Sequence, residues 1–179
     1  MCFIYLTGNF LNDSGMLFFC RKGKQPFQLL FLLAILFFTS CASHKARVRD
    51  EKVDKVIQTA RSYTGTPYRY GGTTRAGMDC SALTIHSFRT LDLNLPRSAE
   101  DQSKVGKEVK LKEVQPGDLV FFATGKKKRQ ITHVGLVTEK KAKDNVKFIH
   151  ASTSLGVVED NIYSTYYIER FRTARRLIE

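Results

Sequence analysis

The stretch that decides the fold is DLVFFATGKKKRQITHVGLVTEKKAKDNVKFIHAS, residues 118–152. Apolar runs at Asp118–Ala123, Ile131–Thr138 and Val146–Ser152 are rich in Val, Ile and Phe, and turn-forming residues separate them. That pattern predicts consecutive strands. Working outward, Val109–Leu111 and Thr173–Ile178 read as further strands, and Val157-Val158 as a short one. Pro116-Gly117 and Gly125–Arg129 are turn signals, with Lys126–Arg129 as a solvated hairpin tip.

Upstream the period changes. Val53, Val56, Ile57 and Ala60 fall at helical spacing, with Asp50 as a cap and Gly65 and Pro67 beyond the end. A second helix is predicted from Cys80, with Leu83, Ser87, Thr90 and Leu91 on one side, before Pro96. Ser98 caps a short turn. Helices followed by consecutive strands define an α+β domain, an antiparallel sheet packed against N-terminal helices.

The first forty residues read as a targeting segment. Phe27–Phe38 (FQLLFLLAILFF) is apolar apart from Gln28, and Arg21, Lys22 and Lys24 precede it. Twelve residues are short of the roughly 20 that span a hydrocarbon core, but they suit a secretory signal. Thr39-Ser40-Cys41 resembles the end of a bacterial lipoprotein signal, in which Cys41 would be lipidated and become the new N-terminus. A plain secretory signal is the alternative. Met16 makes a more ordinary start than Met1. The expected organisation is a signal over 1–40, a lipidated tether over 41–49 and one domain over 50–179.

The chain has 179 residues, 42% apolar and 26% charged, which excludes a disordered chain and a multi-span membrane protein. Its 29 Lys and Arg against 17 Asp and Glu give a net charge of +12. The basic residues are scattered and carry no nucleic-acid recognition motif, so no nucleic-acid partner is expected. Anionic partners such as acidic substrates or membrane surfaces suit the charge.

Cysteine use points to one residue. Cys2 and Cys20 would leave with the signal and Cys41 would carry lipid, so Cys80 has no partner. An unpaired cysteine in an exported protein is reactive or buried. A helix N-terminus would lower the Cys80 thiol pKa, and its N–H groups could hold an oxyanion. A base is needed. His44 lies in the tether. His86, six residues along the same helix, is roughly 9 Å away along the axis and faces elsewhere. His133 and His150 lie on two predicted strands. If those strands are neighbours, one ring can accept the thiol proton and the other can orient it. Gly135, on the same face as His133, would leave room for an imidazole or substrate. A Cys/His/His cluster could also bind zinc, but the close-spaced ligand pairs usual in metal sites are missing.

Six blocks occur in one order: Pro67–Gly72, Asp79-Cys80-Ser81, Leu95–Ser98, Gln115–Phe122, His133-Val134-Gly135 and Ile149–Ser152. Together they resemble the NlpC-type bacterial cell-wall cysteine peptidases, a papain-like family, and within it the outer-membrane lipoprotein murein endopeptidases. The resemblance covers residues 50–179. It implies a papain-like fold with Cys80 as nucleophile, His133 as base and His150 as the residue that orients the base. It also implies that Tyr68, Asp79 and Ser81 bind substrate or shape the site. It implies peptidoglycan stem peptides as substrate, hydrolysis through a thioester, no cofactor or metal, and a monomer held by its lipid on the periplasmic side of the outer membrane. One departure is Ala82, where many members carry Gly, and its methyl would narrow the approach to Cys80. The competing expectations are a catalytically silent murein-binding module and an exported amidohydrolase of the same fold with another substrate.

Overall fold

The structure, a computed structural model, describes residues 44–179. The expected signal, the Cys41 lipidation site and the first residues of the tether lie outside them. A helix, α1, covers residues 44–61. It buries the predicted stripe, with Val53 and Ile57 at 4% exposure and Val56 and Ala60 at 0%. Asp50 lies within it rather than capping it, and residues 44–49 of the expected tether are helical. The basic residues there are good helix formers and extend the helix beyond its apolar stripe.

A loop with a two-stranded hairpin, β1 (Thr73–Thr74) and β2 (Gly77–Met78), leads to α2 (Cys80–Arg89). Asp79 caps α2, its Oδ1 accepting the Ala82 N–H at 2.8 Å. That satisfies one of the N–H groups left open by helix geometry. Ser98 caps α3 (Ala99–Gln102) as predicted, accepting the Asp101 N–H.

Six strands then form one antiparallel sheet in the order β3-β8-β4-β5-β6-β7. They are β3 (Lys107–Val109), β4 (Leu119–Phe122), β5 (His133–Lys140), β6 (Val146–Ser152), β7 (Gly156–Asn161) and β8 (Phe171–Arg176). Leu111, expected to end a strand, instead opens a 3-10 turn over Leu111–Glu113. The strand expected over Thr173–Ile178 is shifted two residues earlier. A further short helix, α4 (Thr165–Arg170), has no counterpart among the predicted elements.

The sheet is covered on both faces. Leu119, Phe121, Val134, Leu136, Ile149 and Ala151 pack with α1 and α2 in one cluster. Val120, Phe122, Val137, Phe148 and Ala174 form a second cluster with Ile162, against which Tyr167 and Phe171 pack. Burial on both sides explains why Leu119–Phe122 is apolar at every position instead of alternating. Just before β4, Asp118 is fully buried and held by Arg176 Nε and Nη2, at 2.8 and 2.7 Å, and by the Gln115 N–H.

Candidate active site

Cys80 is the first residue of α2 and is 7% exposed. The backbone N–H groups of Val134, Ser81 and Cys80 itself lie near its sulfur and favour the thiolate. The sulfur is thus docked on the start of β5, one residue beyond His133. No hydrogen bond joins it to the His133 ring among the described residues. The expected lowering of the thiol pKa is not what the site produces. Burial outweighs the N–H donors, and the nearby Asp79 charge adds to it, so the thiol is pushed up to about 11.

His133 and His150 are brought together. His133 opens β5 and His150 lies in β6, its neighbour. His133 Nε2 lies 2.9 Å from His150 Nδ1, with the rings nearly perpendicular. His133 is 9% exposed and His150 1%. Burial, assisted by His150, lowers the His133 pKa to about 3. Burial also lowers that of His150, against the pull of Asp160. Both rings are therefore neutral at physiological pH. Gly135 does not leave space for substrate. A Cβ there would collide with the Phe148 ring. The missing side chain lets Phe148 lie close, and Phe148 stacks on His150 at 4.8 Å.

Two residues outside the sequence reading complete this chain. Asp160 Oδ2 lies 2.9 Å from His150 Nε2, and the Tyr167 hydroxyl lies 3.1 Å from the same nitrogen. Asp160 comes from β7, where it faces Phe148 across the ladder, diagonal to His150. Tyr167 comes from α4 and packs edge-on against Phe148. Neither sits in a motif that a linear reading would single out. Only the β6–β7 register and α4 place them.

A cleft of about 560 Å³ opens at Cys80. Tyr68, Tyr70, Asp79, Ser81, Arg97 and Gln130–Thr132 are among the residues that line it. Tyr68 stands close enough that the Cys80 and Asp79 charges add to burial in raising its pKa. Asp79 is fully engaged. Besides Ala82, it accepts from Ser81 Oγ at 3.0 Å, the Gly71 N–H at 3.0 Å and Arg97 at 3.0 and 2.6 Å. Gly71 makes its bond from a backbone at φ +70, which favours glycine. Arg97 Nη1 also reaches Ser81 Oγ at 2.7 Å, a role the sequence did not reveal. The Ala82 methyl does not narrow the approach. It is 1% exposed and packs into the core behind the helix. His86 faces away as predicted, bonded to the Thr73 carbonyl at 2.8 Å.

A buried cysteine at a helix start, docked on a sheet that carries the paired histidines, places the fold among papain-like cysteine peptidases. The chain belongs to the NlpC/P60 family, whose model matches residues 65–176. It is 38% identical over 156 residues to the probable endopeptidase NlpC of Escherichia coli, covering 83% of this chain and 97% of that protein. It is 36% identical to the Escherichia coli protein named murein DD-endopeptidase MepS/murein LD-carboxypeptidase, over 75% of this chain and 63% of that one. Among solved structures, an NlpC/P60 family protein from Bacillus cereus aligns with a TM-score of 0.64 and 30% identity. That alignment covers 71% of this chain and 40% of the other.

Proposed function

We propose that this protein is an exported murein endopeptidase that hydrolyses an amide of the peptidoglycan stem peptides or their cross-links. The observation that carries the reading is the placement of Cys80 in the wall of a cleft, docked on the strand that begins with the bonded His133–His150 pair. As the Cys80 sulfur attacks the substrate carbonyl carbon, its proton passes to His133 Nδ1. The new C–S bond leaves a tetrahedral oxyanion, which backbone N–H groups at the α2 N-terminus stabilise. The C–N bond then breaks, and His133 returns the proton to the departing amine. Water attacks the thioester and gives a proton to His133; the C–S bond breaks, the acid leaves, and His133 returns the proton to the Cys80 sulfur. No cofactor enters these steps.

Because the resting pair is thiol and neutral imidazole, proton transfer accompanies attack instead of preceding it. Tyr68 and the Asp79–Ser81–Arg97 network form the wall along which the stem peptide lies. The exposed Lys126–Arg129 run continues into Gln130–Thr132, which line the cleft, and its charge suits stem carboxylates. The relative named for DD-endopeptidase activity favours the cross-link as the bond cut. Lipid on Cys41 would hold the domain, as a monomer, at the outer membrane facing the periplasm.

Digestion of purified murein beside a Cys80→Ala control, with fragments read by mass spectrometry, tests this. Monomers released from cross-linked dimers only by the intact protein are expected. Shortened stems would move the cut to D-glutamate. Unchanged murein with both proteins would overturn the reading.

A further inference from the structure

The hydrogen-bond chain ends on a group that can only accept. His150 Nε2 lies between the Asp160 carboxylate, at 2.9 Å, and the Tyr167 hydroxyl, at 3.1 Å. An ionised carboxylate has lone pairs and no hydrogen to give. The hydrogen in the His150–Asp160 bond therefore sits on His150 Nε2. A neutral imidazole carries one N–H, so His150 Nδ1 is bare and must accept from His133 Nε2, 2.9 Å away. His133 then carries its hydrogen on Nε2 and keeps Nδ1 bare, which is the nitrogen left to take a proton. The Tyr167 hydroxyl cannot donate to a nitrogen that bears hydrogen. It accepts there and turns its own hydrogen toward Asp160, whose charge, after burial, raises the Tyr167 pKa.

The opposite order shows what Asp160 controls. With hydrogen on His150 Nδ1, the donor in the His–His bond would be His150. His133 would then hold its hydrogen on Nδ1 and could not accept from a thiol. The two arrangements use the same rings and the same 2.9 Å bond. Nothing in the pair itself selects between them.

We propose that Asp160 is a positioning residue that fixes the tautomers of both histidines and thereby keeps His133 Nδ1 free to receive the Cys80 proton. The proposal rests on the reading of Cys80 and His133 as nucleophile and base. In the productive step the Sγ–H bond breaks, the proton bonds to His133 Nδ1, and the imidazolium keeps its Nε2–H on His150. The Asp160 charge stabilises the new positive charge through the His150 ring. The Asp160 side chain is 41% exposed, so its leverage is below that of a buried triad carboxylate.

Nitrogen-15 NMR of the histidine side chains in the labelled protein tests the assignment without any substrate. The wild type is expected to show both His133 and His150 as Nε2–H tautomers. Asp160→Ala should leave His150 in a mixture and bring part of His133 to Nδ1–H, while Tyr167→Phe keeps both tautomers. Turnover of murein by Asp160→Ala should fall about ten- to a hundredfold in kcat with KM little changed, and Asp160→Glu should restore part of it. Nδ1–H at His150 in the wild type would overturn the proposal, as would unaltered tautomers in Asp160→Ala or scrambled ones in Tyr167→Phe. The wild-type spectrum decides even if a variant fails to fold. A protein silent on murein would defeat the substrate reading and leave the tautomer result standing.

Discussion

Arg97 grips Asp79 with both arms of its guanidinium, Nη1 3.0 Å from Oδ1 and Nη2 2.6 Å from Oδ2, across 18 residues of sequence. The same carboxylate caps α2, so one side chain ties the cleft wall to the helix that presents Cys80. Arg97 is 47% exposed on its side-chain atoms, and solvent screens its share of the attraction. The hydrogen bonds at the cap are the larger part. They also hold the Asp79 pKa low, because the Arg97, Ala82 and Ser81 contacts together overcome burial, the largest single influence.

Asp79→Ala should therefore destabilise the protein by about 2 kcal/mol, the loss of a cap with several dependent donors. Asp79→Asn keeps an oxygen for the Ala82 N–H and should lose less than half of that. Arg97→Ala should change stability by less than 1 kcal/mol and raise KM. Urea unfolding and murein kinetics on the three variants check this. An Arg97→Ala that unfolds as readily as Asp79→Ala would show that the cap is not the dominant part.

The same residues mark what a linear reading can reach. The Ser98 cap, the α2 start and the bounds of β6 were legible, because caps and apolar runs are local signals; Asp79 as the cap of α2 was not read. The meeting of His133 and His150 followed from treating two strands as neighbours. Arg97, Asp160 and Tyr167 were not legible as site residues, since only tertiary contacts bring them there. Helix α4 was hidden because Thr165–Ile168 combines β-branched and aromatic residues, which favour strands in isolation. Gly135 was misread because the space it frees is filled from β6, by Phe148.

Acid should weaken the fold through the buried histidines. An unfolded His133 takes up a proton near pH 6.5, while the folded one waits until about pH 3. Between those values the unfolded chain binds more protons, so stability is whole above pH 6.5 and declines as pH falls toward 3. From pH 7 to pH 5 this group alone should remove roughly 2 kcal/mol, and His150 acts in the same direction. Denaturant midpoints across that range should drop for the wild type and drop less for His133→Gln. Equal slopes for the two would show that His133 is not the source.

Cys80 should resist alkylation at neutral pH in the free protein. A thiol pushed up to about 11 holds very little thiolate at pH 7, and the thiolate is the reactive form. Its position, 7% exposed, slows reagents further. Iodoacetamide labelling, read by mass spectrometry, should accelerate steadily from pH 7 to beyond pH 10, with no plateau near 8.5. A plateau below pH 7 would mean that the resting site already holds thiolate and imidazolium. Attack on substrate would then need no accompanying proton transfer.

Asp118 lies in the Gln115–Phe122 block that carried part of the family resemblance, yet it stands away from the cleft. Its carboxylate is fully buried and accepts from Arg176 at 2.8 and 2.7 Å and from the Gln115 N–H at 2.8 Å. Its backbone carbonyl also accepts from Val137, so it joins the turn before β4 to β5 and β8 at once. Removing one partner of such a pair leaves the other poorly solvated, and the usual loss is about 3–5 kcal/mol. Arg176 keeps some access to water, at 20% of its side-chain surface, which places Asp118→Ala near the lower end. Arg176→Ala should lose at least as much, because it strands the fully buried carboxylate. Thermal and urea unfolding should show both losses. At a temperature where the variants remain folded, kcat should match the wild type. A selective loss of kcat with unchanged stability would instead connect this corner of the sheet to the chemistry at Cys80.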